Sequence, residues 1–156
     1  MTAASTVHIN LFGPHPIVVQ GTSEQKARWV PRLIAGEDQV CFGVTEPNTG
    51  LNTTQIKTFA DKVDGGYLVT GQKVWTSTAQ VANKILLLTR TRKIEDSQRS
   101  TDGITIFYTD LDRSKIDVHR IAKMGRSAVD SNALFIDGLF VPDEDRIGEE
   151  ERGFAC

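Results

Sequence analysis

The chain has 156 residues, 39% of them hydrophobic and 24% charged, enough for one packed domain and too few for two independent ones. A formal net charge of −2 argues against a partner such as nucleic acid or an anionic membrane surface. The longest purely aliphatic run, Ile85-Leu86-Leu87-Leu88, falls far short of a membrane span, and residues 1–12 lack the basic-then-apolar order of a secretory signal.

Residues Met1 to Val19 are mildly apolar and read as part of a helical region. The run Gly13-Pro14-His15-Pro16 is expected to end any helix before it. Thr22-Ser23-Glu24-Gln25 has the form of a capping box, and Ala27, Val30, Leu33 and Ile34 follow at helical spacing. Pro31 is expected to divide this block into two short helices, the second ending at Gly36. It is the only helical block the pattern predicts with conviction. From Val40 the periodicity becomes that of strands. Val40 to Thr45 is stopped by Glu46-Pro47, and Asn48-Thr49-Gly50 reads as a turn in which Asn48 or Gly50 could take positive φ. Ile56 to Val63 is a strand, Asp64-Gly65-Gly66 a hairpin signal, and Tyr67 to Thr70 and Lys73 to Ser77 follow on either side of Gly71. Lys84 to Thr91 is the most buried-looking strand, and Lys93 to Asp102 an exposed, mobile loop. Ile104 to Tyr108, Ile116 to Ile121, Ala133 to Ile136 and the edge piece Phe140-Val141-Pro142 complete the series. The expected fold is mainly β, an antiparallel β-barrel or sandwich preceded by a short helical segment.

The stretch from Cys41 to Thr54 is the expected ligand site. Thr45, Thr49, Thr53 and Thr54 surround a strand-ending turn and offer neutral donors to carbonyls, ring nitrogens or phosphate oxygens. An ordinary hairpin loop is the competing reading. Cys41 sits among apolar neighbours as a small core residue, and with Cys156 it makes no disulfide framework, so a reducing compartment is expected. Neither the dinucleotide-binding glycine pattern, nor the P-loop, nor a nucleophile elbow occurs. Asp110 to Ser114 starts like a calcium loop but continues with Lys115 where glycine belongs and Ile121 where the bidentate glutamate belongs. His8, His15 and His119 are isolated, and the acidic groups Asp143-Glu144-Asp145 and Glu149-Glu150-Glu151 read as solvated turns. No residue stands out as a catalytic base or a metal ligand.

Two stretches taken together carry a resemblance. Gly43-Val44-Thr45-Glu46-Pro47 with Gly50, followed by Gly71-Gln72-Lys73-Val74-Trp75-Thr76-Ser77, resembles the flavin strands of the acyl-CoA dehydrogenase family. The flanks agree in order. Gly21-Thr22-Ser23-Glu24-Gln25-Lys26 is similar to the end of the family's N-terminal helical domain. Met124-Gly125-Arg126 with Asp130, then Val141-Pro142 and Ile147-Gly148, resembles the close of its middle β-domain. Gly153-Phe154 stands where the C-terminal helical domain begins. The resemblance implies a helical remnant at 1–36, an FAD-binding middle β-domain at 37–150, and the start of a third domain at 151–156.

It further implies FAD as cofactor, with Val44 through its backbone and Thr45 at the pyrimidine edge of the flavin and Ser77, beside Thr76, near N5 and O4. Trp75 would pack on the ring, Phe42 would lie beside it, and Gly50 and Leu51 would stand at the pyrophosphate turn. There the family usually has serine then aspartate, where this chain has Leu51 and Asn52. The implied reaction is α,β-dehydrogenation of an acyl-CoA thioester with hydride passing to flavin N5. The family's glutamate base lies beyond this segment, so no catalytic residue is expected on it. The implied partners are an acyl-CoA substrate, electron transfer flavoprotein or an equivalent acceptor, and either self-association or a complementing chain. Localisation is expected to be cytoplasmic, or the mitochondrial matrix in a eukaryote. Two alternatives stay open: a non-catalytic interaction module of the same fold, and an acyl-CoA oxidase or flavin monooxygenase of related fold.

Overall fold

The computed structural model describes residues 11–126 and 128–155, so His8 and Cys156 lie outside the described residues. Helices come first. Helix α1, His15–Gln20, has Pro14 as its N-cap and Pro16 in its first turn. Helical residues 11–12 stop at the turn of Gly13-Pro14, as expected, and the proline pair also opens the next helix, because first-turn N–H groups have no intrahelical partner to lose. Helix α2, Ser23–Ala35, carries the expected capping box: Thr22 Oγ1 accepts from the Gln25 N–H at 3.2 Å and Gln25 Oε1 from the Thr22 N–H at 3.0 Å. Gly36, at φ 74°, closes it in the left-handed conformation.

Pro31 lies inside α2 and does not divide it. Its missing N–H forfeits one helical hydrogen bond, while both ends of the helix are capped. Trp29, 1% exposed, anchors the same turn against Tyr108 with ring centroids 4.9 Å apart. Tertiary packing outweighs the local break.

Eight strands follow: β1 Val40–Gly43, β2 Phe59–Val63, β3 Gly66–Ser77, β4 Lys84–Arg90, β5 Ile104–Asp110, β6 Ile116–Arg120, β7 Ser131–Pro142 and β8 Arg146–Ile147. They form one sheet in the order β6-β7-β3-β2-β4-β5-β8, with β1 beside β4. The fold is mainly β with a helical lead-in, as expected. The pairs β1–β4 and β2–β4 are parallel, however, and the rest antiparallel. Two pairs of expected short strands fuse into the twelve-residue β3 and β7, whose pairing absorbs register shifts near Gly71 and Trp75.

Strand β4 shows why the core holds together. Ile85 and Leu87 point into one apolar cluster with Cys41, Tyr67, Phe107 and Leu134, whereas Leu86 and Leu88 point into a second with Trp29, Ile56 and Tyr108. A strand buried on both faces reads as a continuous apolar run, which Ile85–Leu88 is. At its end Arg90 is 2% exposed, and its guanidinium donates to the carbonyls of Thr54, Ile56, Arg92, Ser100 and Asp102. The exposed 93–102 loop is thereby tied to the turn that follows β1.

Candidate functional site

The last residues of β3 run alongside β1 in the opposite direction, with Thr78 beside Val40 and the Val74 N–H donating to the Thr45 carbonyl at 2.8 Å, and the site forms along this seam. A pocket of about 320 Å³ is lined by Phe42, Val44, Thr45, Val74, Trp75 and Ser77, with Phe12 and Gly13 arriving from the segment before α1. The structure thus brings together five of the residues singled out from sequence: Phe42, Val44, Thr45, Trp75 and Ser77. Thr76 is 2% exposed, faces the interior and is not part of the lining. Gly50 and Leu51 sit on the adjoining turn, exposed and outside the lining.

The turn is tighter than the sequence implied. Glu46 and Thr49 exchange both main-chain hydrogen bonds, at 3.1 and 3.0 Å, and neither Asn48 nor Gly50 has positive φ. Two of the four expected hydroxyl donors serve the turn itself. Thr49 Oγ1 donates to the Gln55 carbonyl, and Thr54 Oγ1 to Asn52 Oδ1. Thr45 is left to face the pocket.

Beneath the turn lies a pair that sequence reading missed. Lys73 is fully buried, and its Nζ donates to Glu46 Oε1 at 2.9 Å and to the Val44 carbonyl at 3.1 Å. Glu46 also accepts the Lys57 and Thr58 N–H groups, at 2.6 and 2.9 Å. Burial pushes the Lys73 ammonium down to about 8, with Glu46 opposing that shift. Burial also works against the Glu46 carboxylate, but Lys73 and the two N–H donors outweigh it and hold Glu46 below its ordinary range. The pair could have been found by parity, since Tyr67, Val69 and Gly71 put Lys73 on the inward face of β3, where a lysine needs a partner. Gly71 is needed for the same approach: a Cβ there would come within 2.7 Å of the Thr58 backbone.

Trp75 has φ 62°, in the left-handed region, at the register shift between Lys73 and Thr76. That bulge turns the indole outward, 58% exposed, while Thr76 stays inside. A non-glycine residue held there costs about 1–3 kcal/mol, which its surroundings must offset.

The chemistry of the lining is narrow. It contains two aromatic rings beyond Phe12, two valines, two hydroxyls and no titratable side chain. The hydroxyls of Thr45 and Ser77 make no hydrogen bond to other described residues. An uncharged, flat, hydrogen-bonding heterocycle fits such walls, and the flavin ring is one. A larger cleft of about 810 Å³ lies between the helices and the β7–β8 region. Its lining is charged and internally paired, for instance Arg28 with Glu144 at 2.6 Å, so it offers a flat ring no apolar wall. The smaller pocket is the candidate site. Among the described residues no helix is long and apolar enough to cross a membrane.

Fold and pocket together define a mainly β domain with an uncharged, partly aromatic pocket, and comparison with known proteins gives the family. Residues 41–139 match the family model "Acyl-CoA dehydrogenase, middle domain". The chain is 32% identical over 138 residues to 2-methylacyl-CoA dehydrogenase, mitochondrial, of Solanum tuberosum, covering 88% of this chain and 32% of that protein. Butyryl-CoA dehydrogenase from Megasphaera elsdenii superposes with a TM-score of 0.88 at 28% identity, over 99% of this chain and 40% of that one. A chain of the ChsE4–ChsE5 complex from Mycobacterium tuberculosis gives 0.80 at 29% identity, over 89% and 35%. The chain belongs to the acyl-CoA dehydrogenase family. It spans about a third of the length of the curated relatives it matches. Members of the family bind FAD.

Proposed function

We propose that this chain supplies the FAD-binding part of an acyl-CoA dehydrogenase, acting on an acyl-CoA thioester. The carrying observation is the uncharged pocket of about 320 Å³ where β1 runs alongside the last residues of β3, walled by Phe42, Val44, Val74 and Trp75 and bearing the Thr45 and Ser77 hydroxyls. Trp75 would form the ring wall. Thr45 and the Val44 N–H would address one edge of the heterocycle, since the Val44 carbonyl is already held by Lys73. Ser77 would donate to the opposite end. Gly50 and Leu51 would meet the pyrophosphate through their backbone only, because Leu51 has no hydroxyl to give.

Bound FAD supplies the hydride acceptor; the chain's own residues orient it and exclude water from one face. No titratable side chain among the described residues lines the pocket, so the base that takes the α proton must come from elsewhere in the assembled enzyme. This agrees with reading 1–36 as helical remnant, 37–150 as the flavin domain and 151–156 as the start of a further domain. A complementing chain or a second copy would supply the rest, and electron transfer flavoprotein or an equivalent would accept the electrons. A second reading, an interaction module without flavin, is favoured by one observation: Leu51 is fully exposed at 106% where a hydroxyl would serve the cofactor better.

The visible spectrum decides between them. The purified chain is incubated with FAD and passed through gel filtration. Flavin bands travelling with the protein are the expected result, and a colourless protein overturns the proposal.

A further inference from the structure

The bulge that presents Trp75 is held from behind. Thr78, three residues on, is β-branched and also lies in the left-handed region, at φ 64°. Two such residues so close together persist only where neighbours over-determine the backbone. Those neighbours stand at the entry to β7. Asn132 is fully buried; its Nδ2 donates to the Thr76 carbonyl at 2.9 Å, and its Oδ1 accepts from Gln80 Nε2 at 2.8 Å. Asp130 Oδ1 accepts the Thr78 N–H at 3.0 Å, its Oδ2 accepts the Gln80 N–H at 3.1 Å, and Asn132 Nδ2 donates to it as well. The Thr78 hydroxyl is shared between the Ser77 carbonyl at 2.6 Å and the Val40 carbonyl at 3.2 Å, the latter at the start of β1. Three converging N–H donors suit a carboxylate, whose two oxygens only accept. Neither Asp130 nor Asn132 lines the pocket.

We infer that Asp130, with Asn132, is a positioning residue for the flavin site: by clamping Thr76, Thr78 and Gln80 it fixes the directions in which Trp75 and Ser77 face the cofactor. The inference rests on the FAD reading above for its consequence, though the clamp itself can be read without flavin. It assigns a task to side chains across the sheet from the pocket, reaching it only through the backbone of 76–80.

The test uses the two tryptophans, Trp29 buried at 1% exposure and Trp75 at the pocket. The 156-residue chain is labelled with 5-fluorotryptophan, the two fluorine resonances are assigned with Trp29→Phe, and FAD affinity is measured by fluorescence titration. In Asp130→Asn the Trp75 resonance is expected to shift and broaden while Trp29 stays in place, with FAD binding weakened at least about tenfold. Asp130→Glu, which keeps both oxygens, recovers part of that loss. If Asp130→Asn fails to fold, Asn132→Ala is read in the same way and should move Trp75 alone. A lowered unfolding midpoint with both resonances and FAD affinity unchanged marks a merely structural role and overturns the inference. Wild-type chain that binds no FAD, yet loses the Trp75 position in Asp130→Asn, upholds the clamp and removes the flavin reading instead.

Discussion

Trp75 combines backbone strain with exposure, and the two can be separated by one substitution. Trp75→Gly relieves a left-handed conformation worth about 1–2 kcal/mol but adds about 0.5–1 kcal/mol of unfolded-state freedom. The indole is more than half exposed, so little packing is lost. Stability by urea unfolding should therefore change by less than about 1 kcal/mol, whereas FAD affinity should fall at least about tenfold through loss of the ring wall. A large drop in stability with unchanged affinity would contradict the role given to Trp75. The pair beneath the pocket behaves in the opposite way. Lys73→Met leaves the buried Glu46 carboxylate with two N–H donors but no counter-charge and should cost about 3 kcal/mol. Adding Glu46→Gln removes that charge, and the double variant should recover part of the loss; strictly additive effects would show that the two do not act as a pair. Acid should reach the same spot. Glu46 and Asp130 are held below their ordinary values of 4.5 and 3.8, so in the acid range these two groups bind more protons in the unfolded chain than in the folded one. Their stabilisation is complete above those values and is lost as pH falls through the lower folded ones. Denaturant midpoints measured from pH 6 downward should fall below about pH 4.5, and a flat profile to pH 3 would be contrary.

At the scale of elements, α2 carries a removable defect. Pro31 interrupts a helix capped at both ends. Alanine restores the N–H to the Ala27 carbonyl and is favoured by about 3 kcal/mol in a helix interior, less about 1 kcal/mol for the freer unfolded chain. Pro31→Ala should raise the thermal midpoint by several degrees, and no rise would mean that the helix is already distorted to suit proline. The same helix shows what local rules capture. The capping box Thr22–Gln25, the stop at Gly36 and the hairpin at Gly65 are dictated by residues within four positions of one another, and each was legible. What sequence pattern missed is long-range. Pro31 is tolerated because Trp29 packs on Tyr108, and β1 and β2 lie parallel to β4 because of how the chain returns, which no periodicity records. At the site, Phe42, Thr45, Trp75 and Ser77 were singled out by the family resemblance and line one pocket. The Glu46–Lys73 contact joins residues 27 apart in sequence, and the clamp of Asp130 on Gln80 joins residues 50 apart. Such pairings are set by strand register and become visible only once β3 is laid beside β1 and β7.

For the whole molecule, the question is how the apolar groups around the pocket are covered. Phe12, Phe42 and Trp75 meet at one pocket rim, each 45% exposed or more. Elsewhere, Leu51 is wholly exposed on the turn after β1, and Val81 is two-thirds exposed beyond β3. Single exposed apolar residues are ordinary on a monomer, but rings gathered at one rim form a patch that water solvates poorly. The relatives this chain matches are about three times its length, and one structural relative of 29% identity was solved as a two-component complex, so coverage by further chain or by a second protein is available within the family. The 156-residue chain alone is therefore expected to self-associate at micromolar concentration, with bound FAD reducing the effect by occupying the space between the rings. Sedimentation velocity over a concentration series, with and without FAD, is the measurement. A single monomer boundary throughout would show that the rim is adequately solvated as it stands. A boundary that shifts to larger species, and returns toward monomer when FAD is added, would place the contact at the pocket, because a contact elsewhere on the surface would not respond to the cofactor.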